Sequence, residues 1–314
     1  MIKGEPVGNP SASIVSRKEK ALVTRSKPSR PETQPLLDQD HPSSCPTALE
    51  SPDTFLQAIG VVGKDRDRQG FLEHKFWQVY GLLRVLLPAV AQRRDLRRPL
   101  HIVDAACGSS YLSFALYHYL RHVCDLPVSI TGIDRNGDRI DKCVRMKEAL
   151  GWEGLEFQRS SIQAFAPETP PEIVSLHGCD TATDEALARG IEWGSRYLFA
   201  VPCCQHELYP QLQGPALQAL VQQGVLKDRY ASMVTDALRV HALRIMGYRT
   251  DVVEFVSQKE TPKNLLIRAE KGGKTGRVDH VRRYRELRSC WKDTPALERL
   301  LGEKLRVHVQ RGSA

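Results

Sequence analysis

The sequence predicts an α/β fold: a mostly parallel sheet with helices on both faces. Two observations carry this. Apolar, β-rich runs alternate with helical patterns from about residue 100 onward, and parallel strands need crossover helices between them. The first strand also ends in a turn of small residues and the second in an acid, as nucleotide-binding sheets require.

Taken in order, residues 1–50 are rich in Pro, Ser and charge and poor in large apolar groups, a composition that cannot repay the entropy of ordering. This segment is expected to be a disordered tail. Residues 51–99 form a helical leading segment, in which Phe71, Leu72, Phe76, Val79, Tyr80, Leu82, Leu83 and Leu86 recur at helical spacing until Pro88 bends or ends the run. The domain proper spans 100–271. It opens with the strand LHIVDAA, a helix from about Ser110 to Arg121, the strand VSITGID and a helix from about Asn136 to Leu150. LEFQRSS, EIVSLHGC, a helix from about Thr181 and RYLFAVPCC continue the alternation. Helical pattern resumes from about Pro215 to Met246. The late strands TDVVEFVS and NLLIRAE, joined by the short link QKETPK, then suit a hairpin that gives the sheet an antiparallel edge. Residues 272–314 form a basic, helical C-terminal extension.

The chain has 314 residues, a formal charge of +8 and a pI near 9.1, with Arg93, Arg94, Arg97 and Arg98 in one cluster and Arg277, Arg282, Arg283, Arg285 and Arg288 in another. Such clusters neutralise phosphates, and RNA is the expected partner. A solvated basic face is the competing reading. No run approaches the roughly 18 apolar residues that span a bilayer, so no membrane association is expected. Eight cysteines outside any repeating framework read as reduced intracellular thiols, and the expected location is cytoplasmic.

In the turn V-D-A-A-C-G-S-S-Y-L-S, Asp104 ends the strand and Gly108 supplies a conformationally free position. Ala106 and Ser110 stand where other nucleotide folds use glycine, and Cys107 lies between them. No phosphate-binding lysine follows, which excludes a P-loop; the full G-x-G-x-x-G is absent, which weighs against a dinucleotide. Asp134, followed by Arg135, ends the second strand where an acid accepts hydrogen bonds from ribose hydroxyls. Ser161 and Ile162, after the third strand, offer a hydroxyl and an apolar wall to a base.

With D-x-x-C-G-S-x-Y-L-S and G-I-D stand two longer motifs, L-H-G-C-D-T-A-T-D-E-A-L and V-P-C-C-Q-H-E-L. Together they resemble the class I methyltransferase domain of a group that includes tRNA acceptor-stem ribose methyltransferases, over about Lys75 to Lys271. The resemblance implies a seven-stranded Rossmann-like methyltransferase sheet and S-adenosyl-L-methionine as cofactor, with Lys75, Asp104, Ala106, Cys107, Gly108, Asp134, Arg135, Ser161, Ile162 and His177 around it. Asp180 departs from the group, which has glycine there; Ser110 replaces the third glycine of the first turn; and the group's zinc module is missing.

Loops after the fourth and fifth strands are expected to line the acceptor pocket, with Asp184, Pro202, Cys203 and Cys204 in it and Lys263 and Asn264 reaching it from the last strand. His177, Asp180 and His206 are the candidate bases for the acceptor's proton. The adjacency of Cys203 and Cys204 is unlike the C-x-x-C zinc knuckle, so small polar lining is expected rather than a metal. The sequence thus predicts a methyltransferase acting on RNA, with a small-molecule or protein methyltransferase, or a non-catalytic RNA-associated module, as alternatives.

Overall fold

The computed structural model describes residues 69–91, 99–212, 217, 221–289 and 291–311. The expected tail and the arginines at 93–98 lie outside them, as do the side chains of Phe71, Leu72, Lys75, Phe76 and residues 172–178.

Helix α1 (Gln69–Ala91) leads into β1 (Leu100–Ala105), α2 (Tyr111–Tyr117), β2 (Val128–Asp134), α3 (Gly137–Leu150) and β3 (Leu155–Arg159). Then come β4 (Glu172–Gly178), α4 (Thr181–Trp193), β5 (Tyr197–Pro202), α5 (Gly224–Ile245), β6 (Tyr248–Glu254) and β7 (Leu265–Lys271). Three short helices close the chain: α6 (Val278–Arg288), α7 (Ala296–Leu301) and α8 (Glu303–Arg311).

Among the described residues the strands form a seven-stranded sheet in the order β3-β2-β1-β4-β5-β7-β6. β1 to β5 run parallel, and β7 pairs antiparallel with both β5 and β6. The sheet therefore carries the antiparallel hairpin, but its second strand lies inside the sheet and β6 forms the edge.

Both faces are covered, which explains the continuous apolar runs. Alternation along each strand deals its side chains to opposite faces: Tyr197, Phe199 and Val201 join one core with Leu82, Leu83 and Leu116, while Leu198 and Ala200 join a second with Leu187, Leu238 and Leu243. On α1, Gly81 sits so close to the chain after β6 that a Cβ would stand 2.1 Å from the Phe255 carbonyl oxygen.

Two helix expectations are corrected. Pro88 does not end α1; it lies exposed in the last turn, and the helix runs on to Ala91. The helix after the first turn is α-helical only to Tyr117. Its continuation, His118–Val123, is π-helical, and the Cys124 amide closes it by bonding the Tyr119 carbonyl at 2.9 Å. Among the described residues no helix is long and apolar enough to cross a membrane.

Candidate functional site

Because β1 to β5 are parallel, the turns that follow them gather at one edge of the sheet. The connections proceed outward from β1 to β3 and then return to β4, so the order reverses between β1 and β4. Ligands of open α/β sheets bind in the crevice at such a switch point.

The turn after β1 has an unusual backbone. Ala106, Gly108 and Ser110 all have positive φ, at 60°, 59° and 56°. Only glycine takes this region without a steric penalty, which is roughly 1–2 kcal/mol for other residues. Two of the three are not glycine, so the turn retains the glycine-demanding path without all its glycines. Asp180, at a position where the resembling group has glycine, shows the same behaviour, with φ 50°. Strain held at three points of two loops at one sheet edge marks a shape that the surrounding structure enforces.

Two carboxylates brace the first turn. The Gly108 amide donates to Asp134 Oδ2 at 2.9 Å, and the Asn136 amide donates to Oδ1 at 2.8 Å, so Asp134 ties the β1 and β2 turns together. Asp104 is buried, and Ser113 Oγ donates to its Oδ2 at 2.6 Å. Burial pushes the Asp104 carboxyl up to about 7; Ser113 opposes the rise and Asp134 adds to it. A cation placed nearby would reverse that shift. Beneath the turn, the thiols of Cys107 and Cys143 are held above the ordinary range, chiefly by burial, so Cys107 lines the turn as a neutral thiol.

Of the other expected cofactor contacts, Ser161 Oγ accepts the Ala164 amide at 3.1 Å and shapes the turn after β3, with Ile162 buried beside it. Arg135 is exposed and 3.5 Å from Glu185. Lys75 lies on α1 and His177 on β4, both with side chains outside the described residues.

The loops after β4 and β5 are joined by Asp180. Its Oδ1 accepts the amides of His206 at 2.9 Å and Glu207 at 3.1 Å, and its own amide donates to the Cys204 carbonyl at 3.2 Å. This brace brings three sulfurs together: Cys179 Sγ is 3.6 Å from Cys203 Sγ, which is 3.8 Å from Cys204 Sγ. Burial is the main cause that pushes the Cys203 thiol up to about 12, and it raises Cys204 too. Pro202 ends β5 and is buried, while the His206 side chain is exposed.

Three acceptor-side residues have partners of their own. Asp184 is held in a buried ion pair: Arg239 takes both its oxygens, at 2.9 and 2.6 Å, and the two residues line a small cavity with Glu207 and Tyr284. Asn264 faces the hairpin, donating to the Val256 carbonyl at 3.0 Å. Lys263 lies 3.6 Å from Asp228.

Sequence reasoning missed Ser113 and the polar cluster behind the acceptor loops. Arg239 also donates to Asp236 at 3.1 Å and to the Asp180 carbonyl at 3.1 Å, and Gln205 Nε2 reaches Asp236 at 3.3 Å. Burial opposes the Arg239 charge, but Asp184 and Asp236 outweigh it and keep the guanidinium firmly protonated. Burial likewise pushes Asp236 up to about 6 in spite of Arg239. The signal was a lone arginine among Ala231, Val234, Leu238 and Ala242, the apolar stripe of α5.

The C-terminal basic cluster is partly consumed by the fold. Arg288 pairs with Glu298 at 3.1 Å, Arg285 donates to the Val309 carbonyl, and Arg277 pairs with Asp279 at 3.2 Å. Arg282 and Arg283 are exposed, with Arg282 4.0 Å from Glu286.

Residues 74–211 match the model of a family described as a methyltransferase domain. No curated protein sequence matches the chain. Among solved structures, the chain is similar to the citrinin polyketide synthase CMeT domain (13% identity, TM-score 0.41, covering 69% of this chain and 60% of that one). It is also similar to magnesium protoporphyrin IX methyltransferase from Synechocystis PCC 6803 with bound SAH (13%, 0.39, covering 70% and 93%) and to an rRNA methylase from Streptococcus thermophilus (14%, 0.34, covering 64% and 95%). These likenesses are too distant to carry function.

Proposed function

We propose that this chain is an S-adenosyl-L-methionine-dependent methyltransferase and that its acceptor is RNA. The observation that carries the first part is the constellation at the switch point: the strained small-residue turn from Ala106 to Ser110, Asp134 bracing it from the end of β2, and buried Asp104 behind it. The methyltransferase-domain match over the same residues supports it.

These residues fit a cationic nucleoside ligand. Asp134 stands where ribose hydroxyls are accepted, Ile162 offers an apolar wall, and Asp104 offers a carboxylate that a cation would hold ionised. S-adenosyl-L-methionine, when bound, supplies an electrophilic methyl on a sulfonium. The protein's part is to position an acceptor against it and to take the acceptor's proton. Asp180, with two amides on one oxygen, serves as a brace that fixes the loops. His206, exposed on the β5 loop, is the residue assigned to take the proton.

The RNA reading is supported by the formal charge of +8 and by the exposed Arg282 and Arg283. Calorimetric titration with S-adenosyl-L-methionine, with NADH run separately, tests the cofactor, and transfer of a labelled methyl to total RNA tests the acceptor. Binding of S-adenosyl-L-methionine alone with ribonuclease-sensitive label is the expected result. Label passing to metabolites or protein instead would replace RNA as the acceptor, and absence of binding would leave a non-catalytic module.

A further inference from the structure

We propose that Cys179, Cys203 and Cys204 form a three-thiolate site for a zinc-class divalent ion, with its fourth coordination position open. All three sulfurs lie within 4.8 Å of one another. A tetrahedral ion with zinc–sulfur bonds of about 2.3 Å separates its sulfur ligands by about 3.8 Å. Two of the three separations, 3.6 and 3.8 Å, match that edge, and the third lies within 4.8 Å.

The site is built by the fold rather than by a local motif. Cys179 comes from the loop after β4 and the other two from the loop after β5. What holds the loops in register is Asp180, which adopts a backbone conformation unfavourable to any residue but glycine while its carboxylate and amide tie down the opposite loop. Arg239 clamps the Asp180 carbonyl from behind. A sulfur cluster fixed in this way meets the requirement that ligands be placed before the ion arrives.

The donor set selects the ion. Thiolates favour zinc over magnesium or calcium, which take oxygen. Cys179 is exposed, which leaves one side of the cluster facing solvent. Structural zinc sites close all four positions with protein, whereas three ligands and an open position suit an ion that takes a water or a soft ligand such as a thiol.

The test is made on the full chain, reduced and stripped of metal by a chelator, then titrated with cobalt(II) chloride and, in competition, zinc chloride. The expected result is about one equivalent bound, with thiolate-to-cobalt charge-transfer absorption and the ligand-field bands of a tetrahedral ion, displaced by zinc. Cys203→Ser should weaken cobalt binding about 100-fold or more, whereas Cys124→Ser should leave it unchanged. Cobalt uptake without charge-transfer absorption, or none, overturns the proposal. So does recovery of a Cys179–Cys203 disulfide from a protein that takes up no ion once reduced. The spectrum of the unsubstituted protein decides even if Cys203→Ser fails to fold. Metal uptake is read independently of methyl transfer, so this proposal and the methyltransferase reading fail separately.

Discussion

Replacing Arg239 with Met should destabilise the protein by about 3–5 kcal/mol, the range for removing one partner of a buried ion pair. The side chain is only 2% exposed and makes four polar contacts: two to Asp184, one to Asp236 and one to the Asp180 carbonyl. Methionine fills most of the volume but satisfies none of them, so two carboxylates remain buried without their cation. The deficit should depend on pH in a stated direction. Asp236 is already pushed up to about 6 by burial, and loss of the guanidinium raises it further. A carboxyl whose folded pKa exceeds its unfolded value contributes its full stability at low pH and loses it as pH rises through the folded pKa. The deficit should therefore be largest near about pH 8 and shrink toward about pH 4–5, where Asp236 is protonated in both proteins. Urea denaturation followed by circular dichroism at the two pH values measures this. A deficit below about 1 kcal/mol, or one that grows on acidification, would refute the view that Arg239 compensates buried charge.

Asp134→Ala should weaken S-adenosyl-L-methionine binding by about 1–3 kcal/mol, the cost of unpaired buried hydroxyls; an unchanged Kd by calorimetry removes Asp134 from the site. The Asp104 carboxyl, held up to about 7, should make the unliganded protein lose stability from about pH 4 to pH 7, and Asp104→Asn should flatten part of that loss in thermal melts. An equal slope in both proteins would show that Asp104 does not titrate this way. Ala106→Gly should stabilise the fold by about 0.5–1 kcal/mol, since relief at φ 60° exceeds the added freedom of the unfolded chain. A lower midpoint in denaturant would contradict this.

The inner strands could be read from sequence because burial on both faces leaves them largely apolar, as in Tyr197 to Val201, whereas the edge strands β3 and β6 carry polar, exposed residues. The order of Asp104, Gly108 and Asp134 was equally readable, since the two acids stand at the ends of the first two strands and Gly108 lies in the turn after the first. What could not be read depends on the third dimension. Ser113 is an ordinary helical serine until the helix turns it onto Asp104. Asp184, seen as pocket lining, is claimed by an arginine 55 residues away. That Cys179 comes within 4.8 Å of Cys203 and Cys204 depends on two loops meeting, which spacing along the chain does not show. Asn264 was placed near the pocket by strand order alone, whereas its amide closes the hairpin instead.

The position of β7 has a consequence for biosynthesis. The strand that covers the flank of β5 is the last of the sheet to leave the ribosome, and β6, made before it, cannot join the sheet without it. Until Lys271 has emerged, the row of amides and carbonyls along Tyr197–Pro202 stands open beside side chains as adhesive as Leu198, Phe199 and Val201. A nascent chain stalled within α5 would carry every residue of the domain match, and all three sulfurs, on a sheet that can still recruit a foreign strand. Synthesis of the final hairpin thus comes after every residue of the candidate site and closes the flank of β5.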